Sequence, residues 1–266
     1  MARDHKLCRF FRIPLVTLCC VVICCSLFLV DFHERIGIKH KHLCLSSHRI
    51  VRSGEIYRLF THVFFHKGPW HLLITMFPLL ILGMIIERQI GSILFFLVLI
   101  ACWVTSVALE VAMATMLYHV FHNLFHGCSL GFSGVVFGLI VIMSKVNGLK
   151  DFGIGIFKIP FSLVPWLCVV IYYFGFHQGS VFLHIGGIIA GYAYKYDAFN
   201  CCLPSPERLA ELEHSGWMQF IVQIPCFVRF SQPVLPSYYP VSVNEDQFIA
   251  SLNSGNISGE SGLTEV

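Results

Sequence analysis

Gly131-Phe132-Ser133-Gly134-Val135-Val136-Phe137-Gly138 opens one apolar stretch, and His184-Ile185-Gly186-Gly187-Ile188-Ile189-Ala190-Gly191 opens a later one. Each puts a residue of catalytic type, Ser133 or His184, near the start of an uncharged run. Each also carries glycines four residues apart. Gly134 and Gly138 make one small-residue face; Gly187 and Gly191 make the other, at i+3 and i+7 from His184. Such faces let helix backbones pack closely in lipid. A serine at a helix start has unpaired backbone N–H groups and the positive end of the helix dipole beside it, which favours an oxyanion there. A histidine within hydrogen-bond reach can take the serine proton. Taken singly, either glycine pair or a lone membrane histidine is ordinary packing. The joint order, depth and spacing carry the signal.

The chain has 266 residues, 56% of them hydrophobic and only 12% charged. That is too apolar for an ordinary soluble domain of this size. The apolar residues come in uncharged blocks: Ile13 to Val30, Leu72 to Ile86, Gly91 to Leu109, Ser129 to Ser144, Ile159 to Phe176 and Val181 to Tyr194. A spanning helix needs about 17 to 25 residues. The first, third and fifth blocks qualify directly, and the others do so when flanking His, Tyr or Arg reach the interface. The expected fold is an all-α polytopic bundle of six transmembrane helices over residues 13–196, with an N-terminus (1–12) and a tail (197–266) on the same side.

Charge orients that bundle. Arg3, Lys6, Arg9 and Arg12 precede the first block, Arg88, Lys145, Lys150 and Lys158 follow the second and fourth, and Lys195 follows the sixth. The positive-inside rule then favours cytosolic termini, despite a first loop with its own basic residues. No small-x-small cleavage site precedes Asp31, which favours a retained anchor over a secretory signal. The first loop, Asp31 to Trp70, is rich in His and aromatics, as expected of a segment in the headgroup zone. Ser205-Pro206-Glu207 reads as an N-cap, a proline at N1 and a first-turn acid, predicting a short helix over Pro206 to His214. Trp217 to Phe230 is apolar, too short to span, and suited to the membrane surface. From Val241 the composition is that of a disordered tail.

Of twelve cysteines, none forms a CxxC pattern, so nothing supports a zinc site. Cys44 and Cys128 fall on the non-cytosolic side, where they either form a disulfide or remain two thiols. No Walker motif, dinucleotide loop or basic nucleic-acid stripe is present. Gly131-x-Ser133 is not the nucleophile elbow of soluble hydrolases, because Val135 stands where that motif has glycine.

Read together, these segments resemble the rhomboid family of intramembrane serine proteases, from about Tyr57 to Tyr194 and in the family's order. Tyr57-Arg58 resembles its aromatic-Arg element, and His62, His66 and His71 repeat its histidine spacing. Glu87-Arg88 with Gly91 resembles its Glu-x-Arg-x-x-Gly, with the arginine displaced. Gly131-Phe132-Ser133-Gly134 matches Gly-x-Ser-Gly, and His184, Gly187 and Gly191 match His-x-x-Gly-x-x-x-Gly. The resemblance implies a cofactor-free Ser133–His184 dyad with no acidic third member. It implies an oxyanion held by the Ser133 N–H and the His71 side chain. Phe137 would pack on the catalytic histidine, and the substrates would be membrane proteins whose transmembrane helix unwinds at small residues. Thr75 departs from the family's usual Asn, an oxyanion donor; its hydroxyl can donate but reaches less far. Pro78 interrupts the second block. Six helices with a cytosolic tail resemble the endoplasmic-reticulum rhomboids.

Two other classes stay open. One is a catalytically weak or inactive rhomboid-like protein that binds transmembrane clients for quality control or trafficking. The other is a channel, with Glu110 and the histidines lining a polar path, though no inverted repeat supports transport. Thr264-Glu265-Val266 offers a terminal carboxylate to a PDZ-type partner.

Overall fold

The computed structural model describes residues 13–33, 40–120, 125–154, 157–176 and 180–230. The basic residues before Ile13, the polar tail from Val241 and the terminal Thr264-Glu265-Val266 lie outside the described residues. Helix α1 (Leu15–His33) leads into a first loop built from three short helices, α2 (His40–Leu43), α3 (Ser47–Ser53) and α4 (Arg58–Thr61). Then follow α5 (Pro69–Ile90), α6 (Ser92–Met116), α7 (Ser133–Val146), a hairpin of β1 (Asp151–Ile154) and β2 (Phe157–Pro160), α8 (Val164–Phe176) and α9 (Val181–Lys195). Helices α10 (Pro206–His214) and α11 (Gln219–Val222) complete the order.

Among the described residues, α5 and α6 are long and apolar enough to cross a membrane; Leu15–Asp31, Ser133–Val146 and Phe161–Gly175 are apolar but shorter. Only 33% and 44% of the apolar windows of α5 and α6 are buried within the protein. The rest faces outward, as the exposed i, i+4, i+8 stripe Leu73, Phe77 and Ile81 on α5 illustrates. A soluble core helix would hide such a stripe.

Two helices begin inside their uncharged blocks. The fourth helix opens at Ser133, where the sequence reading put it; before it, Ser129 pairs with Leu45 as an extended bridge and Gly131 takes φ +105°. The fifth begins at Val164, because residues 157–160 form a strand and Phe161–Leu163 a 3₁₀ turn. The antiparallel hairpin, with Asp151 opposite Pro160 and Ile154 opposite Phe157, departs from an all-helical reading. Its four-residue strands are too short for a period-2 pattern to stand out. Pro78 sits inside α5, which continues on both sides of it.

Glu87 organises one end of the bundle. Its carboxyl group is fully buried and accepts from the Val16 and Thr17 N–H groups (2.9 and 2.8 Å) and from the Thr17 and Ser92 hydroxyls (2.7 and 2.6 Å). It therefore caps the start of α1 from a different helix, satisfying donors that α1 cannot. Ser92 also ties in the tail: its N–H donates to the Val228 carbonyl (2.8 Å) and its hydroxyl accepts from the Val228 N–H (3.0 Å). The Leu15 N–H donates to the Cys226 carbonyl at 2.8 Å. The α10 helix forms where its capping residues require, with Ser205 accepting from the Arg208 N–H. Residues 205–230 thus fold onto the ends of α1 and α6. Glu87→Ala is expected to cost about 3 kcal/mol, the upper range for hydrogen bonds to a charged group. Thermal unfolding in detergent checks this against Glu211→Ala, whose side chain is exposed.

Candidate active site

The segment before Ser133 is held from several sides. Cys44 and Cys128 form a disulfide with Cα atoms 5.3 Å apart. Beside it, Leu45 and Ser129 exchange both backbone hydrogen bonds (2.8 and 3.0 Å), and the Gly131 N–H donates to the His62 carbonyl at 2.8 Å. The first loop that supplies these partners is itself pinned by Arg58. That side chain is buried, pairs with Glu55, and donates to the carbonyls of Lys41 and Cys44. Glu55's carboxyl is held below its ordinary value, chiefly by the hydrogen bond from Arg58. Burial lowers the His62 imidazole to about 4, so it is neutral near pH 7.

Helix α7 starts at Ser133, so the Ser133 N–H belongs to the first, unpaired turn. Its Oγ lies 3.0 Å from His184 Nε2, and both residues are buried. The glycine faces explain this approach. A Cβ on Gly187 would collide with the Gly134 carbonyl oxygen. A Cβ on Gly191 would come 2.6 Å from the Gly138 carbonyl oxygen, and one on Gly138 would come 2.8 Å from that of Gly187. A Cβ on Gly134 would crowd the Leu183 carbonyl at 3.0 Å. Only backbones stripped of side chains reach this separation.

Aromatic rings bracket the histidine. Phe137, one turn after Ser133, lies 4.6 Å from His184 between ring centroids. Tyr172 of α8 meets the same ring edge-on at 4.7 Å. His71 sits in the first turn of α5, over Gly131; a Cβ there would strike His71 Cε1 at 2.7 Å. The Lys67 N–H donates to His71 Nδ1 at 3.4 Å, which assigns the proton to Nε2. His71 Nε2 is buried with no hydrogen-bond partner. Thr75 is buried, and its hydroxyl donates to the His71 carbonyl at 2.7 Å. That donor is therefore spent within α5 and does not point to an oxyanion. Thr75, Pro78, Ser133, Phe137 and Tyr172 line one cavity of about 180 Å³.

One neighbour of the site was missed from the sequence, and another was given a different role. Tyr172 lies in an unbroken apolar and aromatic run, where nothing separates it from the exposed Tyr173. Glu110, read as a possible channel residue, is buried, with its carboxyl group against Ser180 and the Leu183 backbone at the start of α9. It helps anchor the first turn of the helix that carries His184. Its position near the end of an apolar block was the available signal.

The rhomboid domain family matches residues 53–200. The chain is 25% identical to Rhomboid-like protein 15 of Arabidopsis thaliana over 92% of its own length and 62% of that protein's. It is 29% identical to Rhomboid-related protein 4 of Homo sapiens over 57% of its length and 49% of that protein's. It is 32% identical to the rhomboid protein L523 of Acanthamoeba polyphaga mimivirus over 53% and 75%. The chain thus spans about half to three fifths of the first two relatives. The family match covers more than half of the chain and takes in both Ser133 and His184, and the chain belongs to the rhomboid family.

Proposed function

We propose that the protein is a serine endopeptidase that hydrolyses peptide bonds in or near transmembrane helices of membrane-protein substrates. The observation that carries this is the 3.0 Å contact between Ser133 Oγ and His184 Nε2, with the free His71 Nε2–H nearby. Ser133 Oγ attacks the scissile carbonyl carbon as its proton passes to His184 Nε2. The carbonyl π pair moves onto oxygen, where the Ser133 N–H and His71 Nε2–H receive it. Collapse expels the amine, which takes the proton from His184. Water, activated by the same nitrogen, then releases the acyl group. Phe137 and Tyr172 fix the imidazole plane throughout. Labelling of the purified protein by a serine-reactive fluorophosphonate, lost in Ser133→Ala, tests the proposal. Its absence from wild-type protein favours the client-binding, non-enzymatic alternative.

The proposed setting is a six-span bundle of a secretory-pathway membrane, the endoplasmic reticulum first, with both termini cytosolic. Lys145 and Lys195 support this orientation. They interlock α7 and α9 through Tyr194, Asp197 and Ser144 at the end opposite Ser133. The disulfide lies with the Ser133 end, as an oxidising compartment requires. Trp217 and Phe220 are exposed on the tail segment tied to the first residues of α1 and α6, the position expected of a membrane-surface anchor. A glycosylation acceptor inserted after Gly262 is expected to stay unmodified in microsomes. Its modification would reverse the assignment of sides.

Thr75→Asn is expected to raise kcat roughly tenfold, less than the ~10²–10³ that a well-placed oxyanion donor can contribute. An amide reaches beyond the His71 carbonyl that now occupies the Thr75 hydroxyl. The gain belongs in kcat rather than KM, because charge on that oxygen develops only in the transition state. An unchanged or lower kcat in a normally folded variant would remove position 75 from the oxyanion site.

A further inference from the structure

We propose that the Tyr172 hydroxyl supplies the oxyanion donor that the Thr75 side chain does not, an assignment that rests on the serine-protease reading. The Tyr172 side chain is buried, and its ring is fixed by three neighbours: His184 at 4.7 Å, Phe137 at 5.9 Å and His71 at 6.5 Å between centroids. Tyr172 and Thr75 border the same cavity as Ser133, from α8 and α5 respectively. When Oγ bonds the substrate carbon, the oxygen that gains charge is one bond away from that carbon. A hydroxyl that borders the same small cavity as Oγ lies close to where the charge develops. A phenol is an effective donor in a dry site, where a hydrogen bond to an anion gains strength. Tyr172 donates this bond and keeps its proton; the only proton moved is the one that passes from Ser133 to His184. The contact also comes at little entropic cost, since the ring is already locked.

Tyr172→Phe isolates the hydroxyl, because the phenyl ring retains the edge contact with His184. In the wild-type background kcat is expected to fall about 100-fold, the lower end of the range for single oxyanion donors, with KM and the unfolding temperature nearly unchanged. In the Thr75→Asn background the same substitution is expected to cost only a few-fold, since two donors to one oxygen compensate for each other. Wild-type kcat in Tyr172→Phe, a loss confined to KM, or an equal fold-loss in both backgrounds would overturn the assignment. Should Thr75→Asn fail to fold, the kcat-against-KM split of Tyr172→Phe alone decides. Loss of fluorophosphonate labelling in Ser133→Ala keeps the two proposals separate. If labelling persists there, the protease reading fails. If labelling is serine-dependent and Tyr172→Phe is fully active, only the tyrosine assignment fails.

Discussion

Ser133→Ala is expected to abolish cleavage of a reporter transmembrane substrate while leaving the fold intact. Removing the nucleophile of a serine hydrolase costs about 10⁶ in kcat, which places residual activity below detection. The structural cost is small by comparison. The hydroxyl's hydrogen bond with His184 Nε2 is worth about 1 kcal/mol net. Activity and stability should therefore separate cleanly. His184→Ala should be equally inactive, but it also opens a hole between Phe137 and Tyr172. His184→Asn fills more of that space and is the better companion. Reporter cleavage and thermal unfolding, measured on the same preparations, check this. Equal cleavage by wild type and Ser133→Ala, in a preparation free of other proteases, would end the protease reading.

Gly187→Ala should also damage activity, without touching a catalytic atom. The added methyl group meets the Gly134 carbonyl, which is backbone and cannot rotate away. Helices α7 and α9 must move apart, and they carry Ser133 and His184. A misplacement of about 1 Å between reacting groups can cost roughly 10² in rate. Overpacking adds about 1–3 kcal/mol of destabilisation. A loss of at least 10² in kcat is expected, with a lower unfolding temperature. Gly175→Ala is the matched control: it also lies in a membrane-type helix, but a Cβ there meets nothing within 4 Å. Full activity in Gly187→Ala would show that the dyad does not depend on this backbone contact.

The two helix starts and their glycines were readable because lipid packing leaves a mark in the sequence. Gly134, Gly138, Gly187 and Gly191 recur at helical spacing, and no other residue fits where the backbones touch. The pairing of Glu87 with the start of α1 was not readable, since Thr17 and Ser92 are ordinary residues in apolar surroundings. The hairpin at 151–160 was missed because each strand is a single short run. Cys44 and Cys128 were recognisable as possible partners, but only the folded first loop brings their Cα atoms to 5.3 Å.

The sequence by itself determined that this chain is apolar, helical and a rhomboid. Those properties are local: uncharged blocks, glycine periodicity, and short motifs in a fixed order. It also marked Ser133, His184, His71 and Phe137, whose residue types are tied to the motif. Only the tertiary structure decided which groups face the cavity beside Ser133. It turned the Thr75 hydroxyl back onto the His71 carbonyl, brought Tyr172 in from α8, and set Glu110 at the start of α9. The physical reason is that a hydrogen-bond donor is defined by what its neighbours leave unpaired. That depends on packing between helices far apart in the chain, which no local pattern records.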